Sequence, residues 1–327
     1  MEKEEILSIL TEFGINDFRE KKEIDSSSED DYRLNIILDK KYVLRINNDV
    51  MTEERLSSID RLIGRYREIG VCAPALIKSK SGSYVFMHDG HACYVSEYID
   101  HPSLEEKLEE VDSSVVFKEV WRSIGRLASK YSGVDLSEVN SMWSLIDLAP
   151  LDIDVDEKQE NLDMLVEELR KIGEDSFAEE VITFNEDTRA RIKRVYKNLP
   201  RCVIQGDLNE SNILVDNGHF AGLIDFNMAG TEVNINQFCC ETNLELSGKD
   251  FLSKDAETLY GEWTRRQQDA LNEILAEYVL NDMEKASIMD YRRICNISMY
   301  PNVLDFIEFL NLDKTKTLEL IRCIIKN

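Results

Sequence analysis

The fold is decided by two stretches, Val203-Ile204-Gln205-Gly206-Asp207-Leu208-Asn209-Glu210-Ser211-Asn212-Ile213-Leu214-Val215 and Gly222-Leu223-Ile224-Asp225-Phe226-Asn227. The apolar run that ends at residue 204 predicts a short strand before the loop that holds Asp207. The segments 213–215 and 220–224, around an Asp-Asn-Gly turn, predict a β-hairpin. Because a hairpin returns its second strand beside its first, Asn212 and Asp225 are expected to lie near that loop.

These three polar residues form the set that phosphoryl transfer needs. A carboxylate, here Asp207, accepts or orients the proton of the attacking hydroxyl group. An amide oxygen and a second carboxylate, here Asn212 and Asp225, hold Mg²⁺ on the nucleotide phosphates, because Mg²⁺ prefers a few hard oxygen ligands. The three residue types are therefore those that a nucleotide-dependent kinase would need, and the alternative is a chance acidic loop followed by a hairpin.

The same stretches resemble the HGDxxxxN…IDF signature of the aminoglycoside phosphotransferase and choline kinase-like family, which has a protein-kinase-like fold. The resemblance implies that Asp207 is the catalytic aspartate and that Asn212 and Asp225 are the two Mg²⁺ ligands. The family's histidine, two positions before the catalytic aspartate, is Gln205 here, which can still donate and accept hydrogen bonds. The resemblance is specific over residues 203–226 and looser over residues 31–100.

In the first hundred residues, the resemblance implies that the strand Tyr42–Ile46 presents a cation to the α and β phosphates. That cation would be Arg45, whose guanidinium offers a two-pronged fork to phosphate oxygens. The alternative is an exposed strand residue with no such role. The acidic partner of Arg45 is expected on the following helix, where Glu53 is preferred over Glu54 and Asp60 because it lies nearer the apolar face.

The resemblance also places the adenine-binding hinge at Ser96-Glu97-Tyr98-Ile99. The carbonyl of Ser96 or Glu97 and the amide of Tyr98 or Ile99 would contact the base. The turn over the phosphates is expected near residues 24–31. It is rich in serine and acids rather than glycine, so backbone amides approach phosphate less easily there.

The predicted fold class is α+β, a bilobal protein-kinase-like fold. A β-rich N-lobe of residues 1–97 would hold a five-stranded sheet and a helix, followed by a hinge at residues 98–102. Residues 103–327 would form a mostly helical C-lobe that carries the catalytic loop and the metal-binding hairpin. Helical periodicity after residue 103, for example at Leu162, Leu165 and Leu169, supports this division.

Composition limits the partners. The 327 residues include 39 Lys plus Arg and 64 Asp plus Glu, for a net charge of −25. So acidic a surface argues against nucleic acid and anionic membranes, which need Lys and Arg. No apolar run reaches the ~20 residues of a spanning helix, and the acidic start is not typical of a signal peptide. Seven scattered cysteines without metal-site spacing fit a cytoplasmic protein, and the adjacent pair Cys239-Cys240 suggests no role.

The sequence thus predicts an ATP- or GTP-dependent, Mg²⁺-requiring phosphotransferase that acts on a hydroxyl of a small molecule. A cationic, aminoglycoside-like acceptor is favoured, since residues 147–187 carry 15 acids against three Lys plus Arg, a net of −12. Choline, ethanolamine, homoserine and sugars stay open as acceptors. The alternative is that the chain is a catalytically degenerate kinase-like protein that serves as a binding or scaffold protein. Gln205, Arg45 and the serine-rich turn favour that alternative.

Overall fold

A computed structural model describes residues 1–28, 32–48, 51–147 and 156–326. The chain divides into two compact units. The first consists of residues 1–116 and 207–227, and the second consists of residues 117–206 and 228–327. The β-rich first unit and the mostly helical second unit confirm the predicted bilobal α+β class.

An antiparallel sheet forms the body of the first unit. In the described residues it has six strands, one more than predicted: β1 Lys21–Asp25, β2 Arg33–Leu38, β3 Tyr42–Asn47, β4 Leu76–Ile77, β5 Phe86–His88 and β6 His91–Glu97. Their order is β1-β2-β3-β6-β4, and β5 also pairs with β6. The exposed β1 and the two-residue β4 lack the alternation by which strands are recognised.

Two helices accompany the sheet, α1 Lys3–Glu12 and α2 Glu53–Glu68. The alternating buried residues of β2 pack with Ile6, Ile9 and Leu10 of α1 in one apolar core. Helix α2 begins where predicted, because the Thr52 hydroxyl oxygen accepts a hydrogen bond from the Arg55 amide at 3.2 Å. Residue 31, where the looser family resemblance begins, lies outside the described residues.

Four short strands follow between residues 201 and 233: β7 Arg201–Ile204, β8 Ile213–Asp216, β9 His219–Leu223 and β10 Gly230–Val233. Strands β8 and β9 form the predicted antiparallel hairpin in the first unit, with Ile213 opposite Leu223. Strand β7 pairs with β10 in the second unit. The β8–β9 hairpin and the β7–β10 pair thus belong to different units, although β8 and β9 lie between β7 and β10 in the sequence.

Helices make up most of the second unit. They are α3 Ser113–Tyr131, of which residues from 117 onward belong here, α4 Glu157–Lys171, α5 Asp175–Val195, α6 Asn234–Glu241, α7 Gly248–Ser253, α8 Ala256–Leu275, α9 Asp282–Ser298, α10 Tyr300–Leu312 and α11 Lys314–Lys326. Apolar residues of α4, α5 and α7 to α11 meet around the fully buried Trp263 and Phe306. Residues 148–155, part of the predicted acidic segment, lie outside the described residues. No helix in the described ranges combines the length and apolarity needed to cross a membrane.

The predicted ends of the N-lobe at residue 97 and of the hinge at residue 102 stay a prediction. The two compact units divide the chain at other residues. Backbone hydrogen bonds explain the difference. The amide of Leu104 donates to the carbonyl of Ile213 at 2.7 Å, and that of Leu223 donates to the carbonyl of Cys72 at 2.8 Å. These bonds attach the β8–β9 hairpin to the first part of the chain rather than to the helical unit.

Candidate active site

The loop that leads to the candidate catalytic residue begins with a glycine that no other residue can replace without strain. Gly206 has φ of +87°, and a Cβ built there would lie 2.3 Å from the carbonyl oxygen of Met228. Its own carbonyl accepts a hydrogen bond from Trp143 Nε1 at 2.9 Å. Gln205, which precedes it, is fully buried. The turn is therefore fixed by packing within the second unit.

Asp207 follows Gly206 in the loop that leads to the β8–β9 hairpin, and two amide side chains donate hydrogen bonds to its carboxylate. Its Oδ1 accepts a hydrogen bond from Asn209 Nδ2 at 2.8 Å, and its Oδ2 accepts one from Asn212 Nδ2 at 2.9 Å. Burial raises the pKa of Asp207, the nearby Asp225 carboxylate adds to the rise, and the two amide donors oppose it. The carboxyl group is thus oriented and made more basic than an ordinary aspartate.

Asn212 can offer an oxygen to a cation. Its Nδ2 donates to both the carbonyl oxygen and the carboxylate of Asp207, so Oδ1 is the side-chain atom left to face a metal ion. Its backbone carbonyl accepts a hydrogen bond from the amide of Ile224 at 3.0 Å. This extends the hairpin ladder by one pair and brings Asp225, the next residue, to the same end of the hairpin. An amide oxygen and a carboxylate suit Mg²⁺.

Asp225 and Arg45 form an ion pair. Arg45 Nη1 lies 3.4 Å from Asp225 Oδ1, and the guanidinium is largely buried. Burial opposes the charge of Arg45, but the Asp225 carboxylate and the hydroxyl of Tyr94 outweigh it and raise the pKa of the guanidinium. Tyr94 lies directly across from Arg45 in the β3–β6 register. Asp225 itself has φ of 54°, a left-handed conformation that few residues other than glycine adopt.

The structure does not show the predicted pairing of Glu53 with Arg45. The Glu53 carboxylate instead accepts hydrogen bonds from the hydroxyl of Ser83 and from the amides of Tyr84, at 2.8 Å, and Val85. These bonds hold the chain just before β5. Because Glu53 is the first residue of α2, its side chain reaches that loop rather than the middle of β3. Asp60, another candidate partner, accepts a hydrogen bond from the Tyr84 hydroxyl.

At the predicted hinge, Ser96 is 4 % exposed and lines a small cavity together with Arg45, Tyr94 and Asp225. The amide of Tyr98 donates to the carbonyl of Lys41 at 2.8 Å, which continues the β3–β6 ladder past the end of the strand. Because the Tyr98 amide already donates to Lys41, the structure does not support Tyr98 as the residue that donates to the base. Of the two predicted donors, the amide of Ile99 remains.

The turn predicted to cover the phosphates is described only up to Ser28. The Asp25 carboxylate accepts a hydrogen bond from the amide of Ser27 at 3.0 Å. The hydroxyl of Ser27 accepts one from the amide of Arg33, also at 3.0 Å. These bonds tie the ends of β1 and β2 together. Glu29 and Asp30 lie outside the described residues.

Four residues of the site were not predicted. Asn209 orients Asp207 and also accepts from the amides of Ser211 and Asn212. Its position two residues after an aspartate is a turn signal that could have shown this role. The Tyr94 hydroxyl donates to Asn227 Oδ1 at 3.1 Å, and Arg55 donates to the carbonyl of Asn227. Those contacts join residues more than a hundred positions apart, so no local pattern shows them.

The chain is similar to known proteins in its sequence pattern and in its fold. The model of the phosphotransferase enzyme family (APH) matches residues 22–232. Among solved structures, an amicoumacin kinase in complex with AMP-PNP, Ca²⁺ and Ami is 14 % identical, with a TM-score of 0.51 over 100 % of this chain and 92 % of that one. A spectinomycin phosphotransferase in complex with ADP and spectinomycin is 11 % identical, with a TM-score of 0.50 over 100 % and 97 % of the two chains. No curated protein matches the sequence.

Proposed function

Because the chain belongs to the phosphotransferase enzyme family, we propose that it transfers the terminal phosphoryl group of ATP to a hydroxyl group of a small molecule. The observation that carries the proposal is the joint placement of Asp207 and Asn212, whose side chains are hydrogen-bonded to each other at 2.9 Å. The hairpin adds Asp225 to them, and the ion pair adds Arg45. The site thus combines a base, two metal-binding oxygens and a cation.

Each residue has a role in this proposal. The Asp207 carboxylate accepts the proton of the attacking hydroxyl, and the raised pKa makes it a better acceptor. Asn212 Oδ1 and the Asp225 carboxylate would hold Mg²⁺, which supplies positive charge against the phosphate oxygens. When the nucleotide binds, the guanidinium of Arg45 would leave the Asp225 carboxylate and bind the α and β phosphates. Positioning and charge together would supply most of the rate.

For the nucleotide, we propose ATP rather than GTP. The two structures with similar folds hold AMP-PNP and ADP, which are adenine nucleotides. The base would be bound by the carbonyl of Ser96 or Glu97 and by the amide of Ile99, since the amide of Tyr98 is paired with Lys41. We also propose that the reaction takes place in the cytoplasm, a location that the free thiols of the chain support.

For the acceptor, we propose a cationic, aminoglycoside-like molecule. Acids recur along helices α4 and α5, and a groove between these helices is lined by Asp163, Glu167 and Glu186. Carboxylates that rim a cleft attract and concentrate cations. Of the proteins with similar folds, one is named a kinase of amicoumacin and the other a phosphotransferase of spectinomycin.

The test is acceptor-dependent formation of ADP. The purified protein is incubated with Mg²⁺–ATP and, one at a time, with aminoglycosides, choline, ethanolamine, homoserine and neutral sugars, and the product is identified as a phosphate ester by mass spectrometry. We expect turnover with an aminated acceptor, and turnover slower by about 10²- to 10⁴-fold with Asp207→Ala. Nucleotide binding without turnover on any acceptor would contradict the proposal and favour a degenerate binding protein.

A further inference from the structure

Two thiols lie close together in the helical unit, outside the site described above. Cys240 is on α6 and Cys295 is on α9, and their Sγ atoms are 3.7 Å apart. Cys295 is fully buried, whereas Cys240 is partly exposed. The adjacent Cys239 points elsewhere, because its buried Sγ donates to the carbonyl of Ile288. The structure therefore gives Cys240 a partner that the sequence did not indicate.

The surroundings make the two thiols unequal. Donation from the Cys295 thiol lowers the pKa of Cys240, and the nearby Lys158 ammonium lowers it further, while burial opposes both. Donation to the Cys240 sulfur and burial raise the pKa of Cys295. Lys158 is 2 % exposed, and its Nζ donates to the carbonyl of Trp143 at 2.8 Å. Two sulfurs in contact, one of them on a partly exposed residue with a lowered pKa, form the arrangement that oxidation to a disulfide requires.

We propose that Cys240 and Cys295 form an oxidative modification site, at which a hydroperoxide converts the dithiol to a disulfide. The Cys240 thiol ionises, and its thiolate attacks the terminal peroxide oxygen and breaks the O–O bond. The proton released by the thiol goes to the leaving alkoxide or hydroxide, so an alcohol or water departs and a sulfenic acid remains. The Cys295 thiol then displaces hydroxide from that sulfur, and the S–S bond and water form. With hydrogen peroxide, two thiols and one peroxide give one disulfide and two waters.

Closure needs a short movement. The two Sγ atoms must approach from 3.7 Å to about 2.05 Å, the length of an S–S bond. Cys240 then loses its weak bond to Asn236 Oδ1. The disulfide closes a loop of 55 residues between two packed helices, so we expect it to raise the thermal midpoint by roughly 5 °C.

The experiment treats the full chain with hydrogen peroxide, alkylates the remaining thiols and maps the digest by mass spectrometry. We expect a peptide cross-linked through Cys240 and Cys295, the loss of two titratable thiols, and full reversal by dithiothreitol. Cys240→Ser and Cys295→Ser should each abolish the cross-link. Cys323→Ser is the matched control, because it removes a half-buried thiol of α11, and it should leave the cross-link unchanged.

Two results would overturn the proposal. One is an unchanged thiol count in the wild-type protein at a peroxide excess that oxidises a free thiol standard. The other is oxidation of Cys240 to a sulfinic acid without any cross-link to Cys295. Both are read on the wild-type chain, so a variant that fails to fold changes neither result.

Discussion

At the scale of single residues, Asp207 is the group on which the proposed chemistry depends. Asp207→Ala removes the proton acceptor but leaves Arg45, Asn212 and Asp225 in place. We expect kcat to fall about 10²- to 10⁴-fold, while the affinity for Mg²⁺–ATP stays within about twofold. Steady-state kinetics and calorimetric titration check this. The control is Asp216→Ala, at the exposed hairpin turn, and turnover by Asp207→Ala equal to this control would refute the assigned role.

The environment of Asp207 also sets a pH dependence. Burial raises the pKa of this carboxyl above its ordinary value of 3.8. The active form is the carboxylate, so kcat should fall as pH is lowered through the raised pKa. The acid limb of the kcat profile is therefore expected above pH 3.8, at a pH where circular dichroism shows the protein still folded. A profile that stays flat down to pH 3.8 would contradict a basic role for Asp207.

Substitutions of Arg45 and of Glu53 are expected to affect the KM for ATP differently. Arg45→Met removes a cation from the phosphates, and since a charged hydrogen bond contributes about 1.5–3 kcal/mol, the KM for ATP should rise tenfold or more. Arg45→Lys should raise it less. Glu53→Ala should leave the KM for ATP within about twofold, because Glu53 holds residues 83–85 rather than Arg45. If Glu53→Ala raised the KM for ATP as much as Arg45→Met does, that result would support a pairing of Glu53 with Arg45 and contradict this prediction.

The sequence showed the set Asp207, Asn212 and Asp225 because a hairpin joins the last two and the loop precedes them directly. It did not show the partner of Arg45. Arg45 and Asp225 are 180 positions apart, and no periodicity or turn signal relates residues at that distance. Glu53 was a reasonable choice on helical spacing alone, but the three donors of residues 83–85 compete for its carboxylate.

At the scale of secondary-structure elements, the β8–β9 hairpin positions Asp225. Gly222 lets the hairpin approach the segment after α2, where the amide of Leu223 bonds to the carbonyl of Cys72. Elements with a clear apolar pattern, such as α4, β7 and the β8–β9 hairpin, were predicted from sequence. Strand β1 was not, because its run Lys-Lys-Glu-Ile-Asp is exposed throughout and has no apolar face.

Gly222→Ala tests this packing. A Cβ at residue 222 would lie 2.4 Å from the carbonyl oxygen of Cys72 and 2.8 Å from its Cβ, so the hairpin must shift. We expect a loss of about 1–3 kcal/mol of unfolding free energy and a loss of activity, measured by denaturant titration and kinetics. Gly64→Ala in α2 is the control, because its Cβ would meet nothing within 4 Å, and it should stabilise the protein by about 0.5–1 kcal/mol. Equal stability of both variants would contradict the close approach.

At the scale of the whole molecule, all the residues proposed for nucleotide and Mg²⁺ belong to the first unit, whereas the acids proposed to attract the acceptor belong to the helical unit. The sequence predicted both the sign of that charge and its concentration in residues 147–187, which include α4 and part of α5. The compact units also cut the sequence differently from the predicted lobes, since hydrogen bonds between distant segments define them. Binding of nucleotide can therefore be tested before any acceptor is known.

The most direct measurement is the thermal midpoint of the full chain with ATP and Mg²⁺, with ATP and a chelator, and with GTP and Mg²⁺. A ligand at 100 times its Kd stabilises the folded state by about 2.7 kcal/mol, a shift of several degrees. We expect this shift for Mg²⁺–ATP in the wild-type protein and in Asp216→Ala, and its loss with the chelator or in Asp225→Ala. No shift with millimolar Mg²⁺–ATP, or a shift that persists in Asp225→Ala, would contradict a working phosphotransferase site.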